Sequence, residues 1–358
     1  MLWFTGIGIY GTSGLSQKAL DVIANCDIIY LERFTSLVSD KDIKDLMSLP
    51  SFGSKTISPV QRWFVEDGRQ ILAEAKNKDV ILLSYGDPMV ATTFSELRLR
   101  ALQEGVKVSV VYGISGITTV ISEIGLQLYK IGRIVTMMEE KQSTVSVYNT
   151  ISNNLQCNCH TVILTEYRYN DDDSIFFLDP KEVILRLKQV EEDLAFRIFN
   201  DASFLIVASR IGTMEQKIVS GRAESLLNLD YGTGPHTIIF PASLHFIEKE
   251  SIAKLSLNID LPFDNTPPQD NVSMHMIKKY VPMLQDEITN IRNWDNSLIE
   301  SKKTLLETLD NAECYIEDAI NFLYQGKNEL AILSIGYADG LVDCLNSMTK
   351  SRGKKETE

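Results

Sequence analysis

The stretch Val80-Ile81-Leu82-Leu83-Ser84-Tyr85-Gly86-Asp87-Pro88-Met89-Val90-Ala91-Thr92-Thr93 decides the fold class. Its first five residues form a short apolar run with no polar alternation, the composition of a strand covered on both faces, as in a parallel sheet. Tyr85-Gly86-Asp87-Pro88 then makes a hard turn, in which Gly86 permits close backbone approach and Pro88 stiffens the chain. Thr93 to Glu104 follows with helical spacing, so the unit reads strand, turn, helix.

Upstream the same order recurs. Apolar Leu2 to Ile9 leads into Gly11-Thr12-Ser13-Gly14 and a helix whose apolar positions are Leu15, Ala19, Leu20, Val22 and Ile23. A strand is expected at Asp27 to Leu31, a helix over Glu66 to Lys76, and a strand at Val106 to Tyr112. Strand and helix therefore alternate through residues 1–112, as an α/β domain requires. Past Gly113-Ile114-Ser115-Gly116 the pattern predicts a helix at Ile117 to Glu123 and strands at Ile134 to Met137 and Thr161 to Thr165. It continues with a helix over Pro180 to Glu192, a strand at Ser203 to Ser209, and a last strand at Thr237 to Phe240. This gives a second α/β domain over 113–260.

Leu261 to Asn271 is rich in Pro, Asn and Asp, so residues 261–276 read as a linker. In 277–350 apolar residues recur at helical spacing (Ile288, Ile291, Leu298, Leu305, Leu309, Ile316, Ile320, Leu323). Gly326 breaks the pattern before another helix from Leu330 to Leu345. An antiparallel all-α bundle is expected there.

Composition narrows the function. A chain of 358 residues with 44% apolar content can build two or three cores. A formal net charge of −13 sets the overall field against phosphate backbones, so no nucleic-acid partner is expected. The basic tail from Lys350 to Lys355 reads as a solvated terminus. Five scattered cysteines suggest reduced thiols. No stretch reaches the roughly 18–20 apolar residues of a membrane span, and a cytoplasmic protein is expected.

Three glycine-containing turns follow strands, where a doubly wound sheet presents its carboxyl edge to ligands. Gly6-Ile7-Gly8-Ile9-Tyr10-Gly11 lacks both the full dinucleotide pattern and the phosphate-cradling GxxxxGK[ST] arrangement. In the second turn Asp87 could hold a hydroxyl or an ammonium group, or could merely make an Asx-turn, with Thr92 or Thr93 capping the next helix. The amides of Gly113-Ile114-Ser115-Gly116 could receive a carboxylate or the polar end of a cofactor; Ser115 is otherwise an ordinary N-cap. Cys157-Asn158-Cys159-His160 has no second Cys/His pair at a usable spacing, so no metal is expected. Asp171-Asp172-Asp173 reads as a solvated loop. No nucleophilic triad is legible.

Taken together, five ordered blocks resemble the diphthine synthases of the tetrapyrrole methylase superfamily. They are Gly6 to Ile9, Cys26 to Ser36, Gly86 to Thr93, Gly125 to Gly132, and Gly234 to Pro241 with Leu244-His245-Phe246. The resemblance covers residues 1 to about 250. It implies two α/β domains of the tetrapyrrole methylase fold with S-adenosyl-L-methionine in the cleft between them, usually in a homodimer. It implies cofactor contacts at Ile9, Asp87, Val90, Ser115, Gly116, Thr165, Ile211 and His236, several of them through backbone groups. It implies a methyltransferase whose acceptor is the amino group of a 3-amino-3-carboxypropyl histidine on elongation factor 2, methylated repeatedly. The chain departs from the pattern at Phe94, where the family has His, at Gly116, and at Thr165-Glu166, where it has Leu-Asp. The segment from Glu317 to Leu341 resembles a small archaeal helical domain of unknown function. Other readings remain open at this point: a methylase of the same fold acting on a corrinoid precursor or ribosomal RNA, and a non-catalytic partner-binding protein.

Overall fold

The computed structural model describes residues 1–34, 38–169, 174–265, 272–293, 302–325 and 327–353, with side chains described as far as 347. Thr35-Ser36, Asp171-Asp172-Asp173, Asn271, Leu298 and Gly326 of the sequence reading, with Lys354 and Lys355 of the tail, lie outside those residues.

The first sheet is built from β1 (Leu2–Gly6), α1 (Gln17–Asn25), β2 (Ile28–Glu32), α2 (Asp40–Met47), β3 (Ile57–Val60), α3 (Arg62–Asp67), α4 (Arg69–Ala75), β4 (Val80–Ser84), α5 (Phe94–Gln103) and β5 (Val108–Val111). Its strand order is β3-β2-β4-β1-β5, and every pair is parallel. The apolar run of β4 explains its central place. Val80 and Leu82 join Leu2, Phe4 and Phe94 on one face, while Ile81 and Leu83 join Ile7, Ile29 and Leu31 on the other. All four are fully buried.

Besides α2 and β3, which the sequence reading did not predict, two elements of the first sheet differ from expectation. The helix read over Glu66 to Lys76 is two helices, because Gly68 adopts a left-handed φ of 60° between α3 and α4. A Cβ there would lie 2.5 Å from the Leu97 side chain, so the break is enforced by α5 as well as by backbone freedom. The strand expected from Leu2 to Ile9 ends at Gly6, where the first glycine turn begins.

After β5 the chain passes into α6 (Gly116–Ile124), whose Val120, Ile121 and Ile124 pack in the core of a second sheet. There follow β6 (Val135–Met137), α7 (Gln142–Gln156), β7 (Thr161–Thr165), β8 (Tyr167–Tyr169), β9 (Ile175–Phe177), α8 (Pro180–Leu194), β10 (Phe204–Ser209), β11 (Lys217–Arg222), α9 (Ala223–Leu226), β12 (His236–Phe240), α10 (Phe246–Leu255) and β13 (Leu257–Asn258). The order is β13-β11-β10-β12-β7-β6, with β8 and β9 in a separate antiparallel hairpin. Unlike the first, this sheet is mixed: β10 runs antiparallel to both neighbours, and β12 antiparallel to β7. The strand read as the last, Thr237 to Phe240, is followed by β13, a two-residue edge strand.

Clustering of contacts divides the chain after Thr266. The second unit contains α11 (Val272–Arg292), α12 (Lys302–Tyr324) and α13 (Asn328–Gly353), packed around Leu284, Ile288, Leu309, Ile316, Ile335 and Val342. Helix α11 begins at Val272, inside the segment read as a linker.

Candidate functional site

Parallel register brings the carboxyl ends of β4, β1 and β5 side by side, with Gly6 opposite Ser84 and Thr5 opposite Val111. The three glycine turns that follow are therefore packed backbone on backbone. A Cβ on Gly113 would sit 2.2 Å from the Gly86 carbonyl oxygen, and one on Gly6 would sit 2.5 Å from the same oxygen. No side chain fits at either position. Gly8 and Gly86 exchange hydrogen bonds, Gly8 N–H to Gly86 O at 3.1 Å and Gly86 N–H to Gly8 O at 2.9 Å.

Asp87 clips this assembly. Its Oδ1 accepts the Met89 N–H at 2.8 Å, an Asx-turn, and its Oδ2 accepts the Gly113 N–H at 3.2 Å from the neighbouring turn. Thr92 Oγ1 accepts the Phe94 N–H at 3.2 Å, a local turn at the start of α5, whose N-cap Thr93 makes no side-chain cap bond. The Ser115 carbonyl receives Thr119 N–H and the hydroxyls of Thr118 and Thr119, which fixes the start of α6.

Opposite these turns stands the matching edge of the second sheet. Thr165 ends β7 and donates its hydroxyl to the His236 carbonyl at 2.8 Å. His236, 2% exposed, opens β12, and its Nδ1 lies 2.8 Å from Ser209 Oγ. Burial lowers its pKa to about 4, with Arg210 assisting and Asp179 opposing, so the ring is neutral near pH 7. Its Nε2 is buried without a well-formed hydrogen bond.

Between the two walls lies a cavity of about 600 Å³. Of the eight residues carried over from the resemblance, Asp87, Val90, Ser115, Gly116, Thr165 and His236 line it. Ile9 and Ile211 do not line it: the Ile9 Cγ2 is 3.8 Å from where a Gly116 Cβ would be, and Ile211 packs against the core of the second sheet. Phe94 lies outside it, buried against Phe4 with ring centroids 5.7 Å apart.

The cavity also has a wall that the sequence reading did not find. Phe34, Arg62, Trp63, Tyr85, Tyr167 and Tyr169 give it an aromatic and cationic half. Arg62 stacks over Phe34 at 5.5 Å, and Arg33 over Tyr169 at 4.7 Å. Arg168 pairs with Glu166 and, at 2.6 Å, with Glu139. The alternation Tyr167-Arg168-Tyr169 was the one strand signal available; Arg62 and Trp63, on a short helix, carried none.

Glu248, fully buried, ties its own helix cap to two other segments through four partners. It accepts from Gln127 N–H at 2.9 Å and His245 N–H at 2.8 Å, pairs with Lys130 Nζ at 3.0 Å, and meets His160 Nε2 at 3.1 Å. Burial alone would raise its pKa, but these partners outweigh it and hold the carboxyl at about 2. His160 Nδ1 accepts the Ala242 N–H at 2.9 Å, so both ring nitrogens are engaged within the protein. Among the described residues no cluster of three or more His, Cys, Asp or Glu could hold a metal, and no helix is long and apolar enough to cross a membrane.

Comparison with known proteins gives the site a context. Residues 1–227 match the family model for tetrapyrrole (corrin/porphyrin) methylases, and 279–350 match that for a protein of unknown function, DUF357. The chain is 32% identical over 267 residues to the diphthine synthase of Methanocaldococcus jannaschii, spanning 72% of this chain and 100% of that one. It is 30% identical to that of Methanosphaera stadtmanae, over 72% of this chain and 96% of the relative. A crystal structure of a diphthine synthase superposes with a TM-score of 0.62 at 28% identity, covering 72% of this chain and 96% of the other. One of a conserved hypothetical protein from Aeropyrum pernix K1 gives 0.65 at 25%, covering 75% and 93%.

Proposed function

The chain belongs to the tetrapyrrole methylases and, among them, to the diphthine synthases, and from that premise we propose that it uses S-adenosyl-L-methionine to methylate the amino group of a 3-amino-3-carboxypropyl histidine on elongation factor 2, in diphthamide biosynthesis. The observation that carries the reading is the convergence of the turn after β4 (Gly86, Asp87, Val90), the start of α6 (Ser115, Gly116) and the β7–β12 edge on one cavity.

The bound cofactor supplies a methyl carbon attached to a positively charged sulfur. The residues present suit such a group. Gly116 carries no side chain where it lines the cavity, so a ligand can approach the backbone amides at the start of α6 closely. Neutral His236 offers a buried ring nitrogen for a polar edge. Asp87, already holding two amides, keeps the turns in register and adds negative charge beside a cationic ligand.

The chain's remaining task is to orient the acceptor and exclude water, since a displacement of this kind needs alignment more than acid or base. The acceptor amine must present a free lone pair. A half-buried cavity whose wall carries Arg62 and Arg168 disfavours the ammonium form. Arg62, whose Glu66 partner stands 3.8 Å away, is placed to meet the acceptor's carboxylate. We extend the proposal to a homodimer acting in the cytoplasm.

The test is incubation with labelled cofactor and elongation factor 2 bearing the unmethylated intermediate, then mass analysis of the target peptide. Mass increments of methyl groups on the modified histidine are expected. An unmodified peptide alongside measurable cofactor binding would refute the substrate assignment.

A further inference from the structure

Buried tyrosine hydroxyls in this protein are hydrogen-bonded where they lie away from the cavity. Tyr30 donates to Glu74 at 2.7 Å, Tyr148 to Glu191 at 2.7 Å, and Tyr231 to the Leu226 carbonyl at 2.8 Å. Within the cavity wall Tyr167 and Tyr169 meet edge to face, their ring centroids 6.1 Å apart. Tyr85 differs. It lines the cavity and packs against the core face formed by Ile7, Leu83 and Leu46, yet its hydroxyl bonds to none of the described residues. Tyr85 is half-buried, and a hydroxyl lining the cavity with no protein partner among the described residues is available to a ligand.

The ring is held in place. Tyr85 lies between Ser84, whose carbonyl accepts the Ile7 N–H at 2.9 Å, and Gly86, whose N–H donates to Gly8. The backbone on both sides is thus locked into the glycine-turn assembly. Tyr167, from the β8–β9 hairpin, lines the same cavity. Tyr85 therefore stands where the cofactor wall meets the aromatic wall. Burial first, and Asp42 second, push its own pKa up, so it remains a neutral hydroxyl, able to accept and to donate.

We propose that Tyr85 is the positioning residue for the acceptor nitrogen, its hydroxyl oxygen accepting an N–H of the amine so that the lone pair faces the methyl donor. The assignment rests on the methyltransferase reading above. In the transfer, the nitrogen lone pair forms the new N–C bond as the C–S bond breaks. The electron pair of that bond stays on sulfur, which becomes a neutral thioether. The nitrogen becomes an alkylammonium and releases a proton to water before a further round. A primary or secondary amine has an N–H for the hydroxyl to hold; a dimethylated one has none. The contribution of Tyr85 is therefore confined to the early transfers.

Tyr85→Phe keeps the ring and removes the oxygen. With elongation factor 2 carrying the unmethylated intermediate, the expected result is a kcat for the first transfer lowered about tenfold, the loss of one oriented hydrogen bond. KM, affinity for S-adenosyl-L-methionine by calorimetry, and affinity for elongation factor 2 measured without cofactor should all stay within about twofold. Transfer to a dimethylated acceptor, prepared with limiting cofactor, should match the wild type. Equal slowing of both transfers, or a variant indistinguishable from wild type on the first, would overturn the assignment. Wild-type protein that binds cofactor but leaves elongation factor 2 unmodified would remove the reading beneath it, a separate and recognisable outcome.

Discussion

The two sheets that enclose the cavity are held together by different means. At the carboxyl edge of the first, glycine turns touch through backbone, with no room for a Cβ at Gly6 or Gly113. In the second, buried polar side chains make the joins: Glu248 ties Gln127, Lys130, His160 and His245, and Asn265 bonds both to Phe204 and to the Pro241 carbonyl. A backbone join tolerates no added atom, whereas a side-chain join tolerates no deleted one.

The sharpest test of that contrast is deletion. Glu248→Ala strands two amides, a lysine and a histidine, and should cost about 3–5 kcal/mol in urea unfolding. A smaller loss than that of any cavity-wall glycine would erase the distinction. Addition comes next: Gly113→Ala should cost about 2–3 kcal/mol through forced displacement of the Gly86 carbonyl, and should weaken cofactor binding in calorimetry.

Acid should find the second sheet first. His236 titrates near 4 in the fold against 6.5 ordinarily, so stability present above pH 6.5 falls as pH drops from there towards 4. Glu248, at about 2 against 4.5, adds a further loss as pH falls from 4.5 towards 2. Unfolding measured across this range should show both, and His236→Asn should remove the upper part. Asp87→Ala removes the clip but leaves the glycines, so a loss of about 1–2 kcal/mol with weaker cofactor affinity is expected; unchanged affinity would separate Asp87 from the site. Smallest is Trp63→Ala: with the residue 67% exposed, stability should move by no more than about 0.5 kcal/mol while KM for elongation factor 2 rises.

The same contrast explains what could be read from the sequence. Backbone joins demand glycine, and glycine after an apolar run is visible: β4 and β7 fall on the residues expected of them, and all three turns follow strands. Side-chain joins leave no local trace, since His160 and Glu248 are 88 positions apart. Elements were missed for related reasons. β3 carries Pro59 and survives as an edge strand, which disguises it. α7 is rich in Ser, Thr and Asn, weak helix formers whose helical state depends on packing of Val147, Tyr148, Ile151 and Leu155. The Ser39–Asp42 capping box of α2 was a legible start signal that went unread. The aromatic wall escaped because Phe34, Trp63, Tyr85 and Tyr167 come from separate segments that meet only in the folded chain.

The order β3-β2-β4-β1-β5 has a consequence for how the molecule is made. Among the described residues β1 pairs only with β4 and β5, which follow it in the chain and end at Ser84 and Val111. During synthesis Leu2 and Phe4 have no sheet to enter until those later strands are made, so the sheet closes late, through contacts distant in sequence.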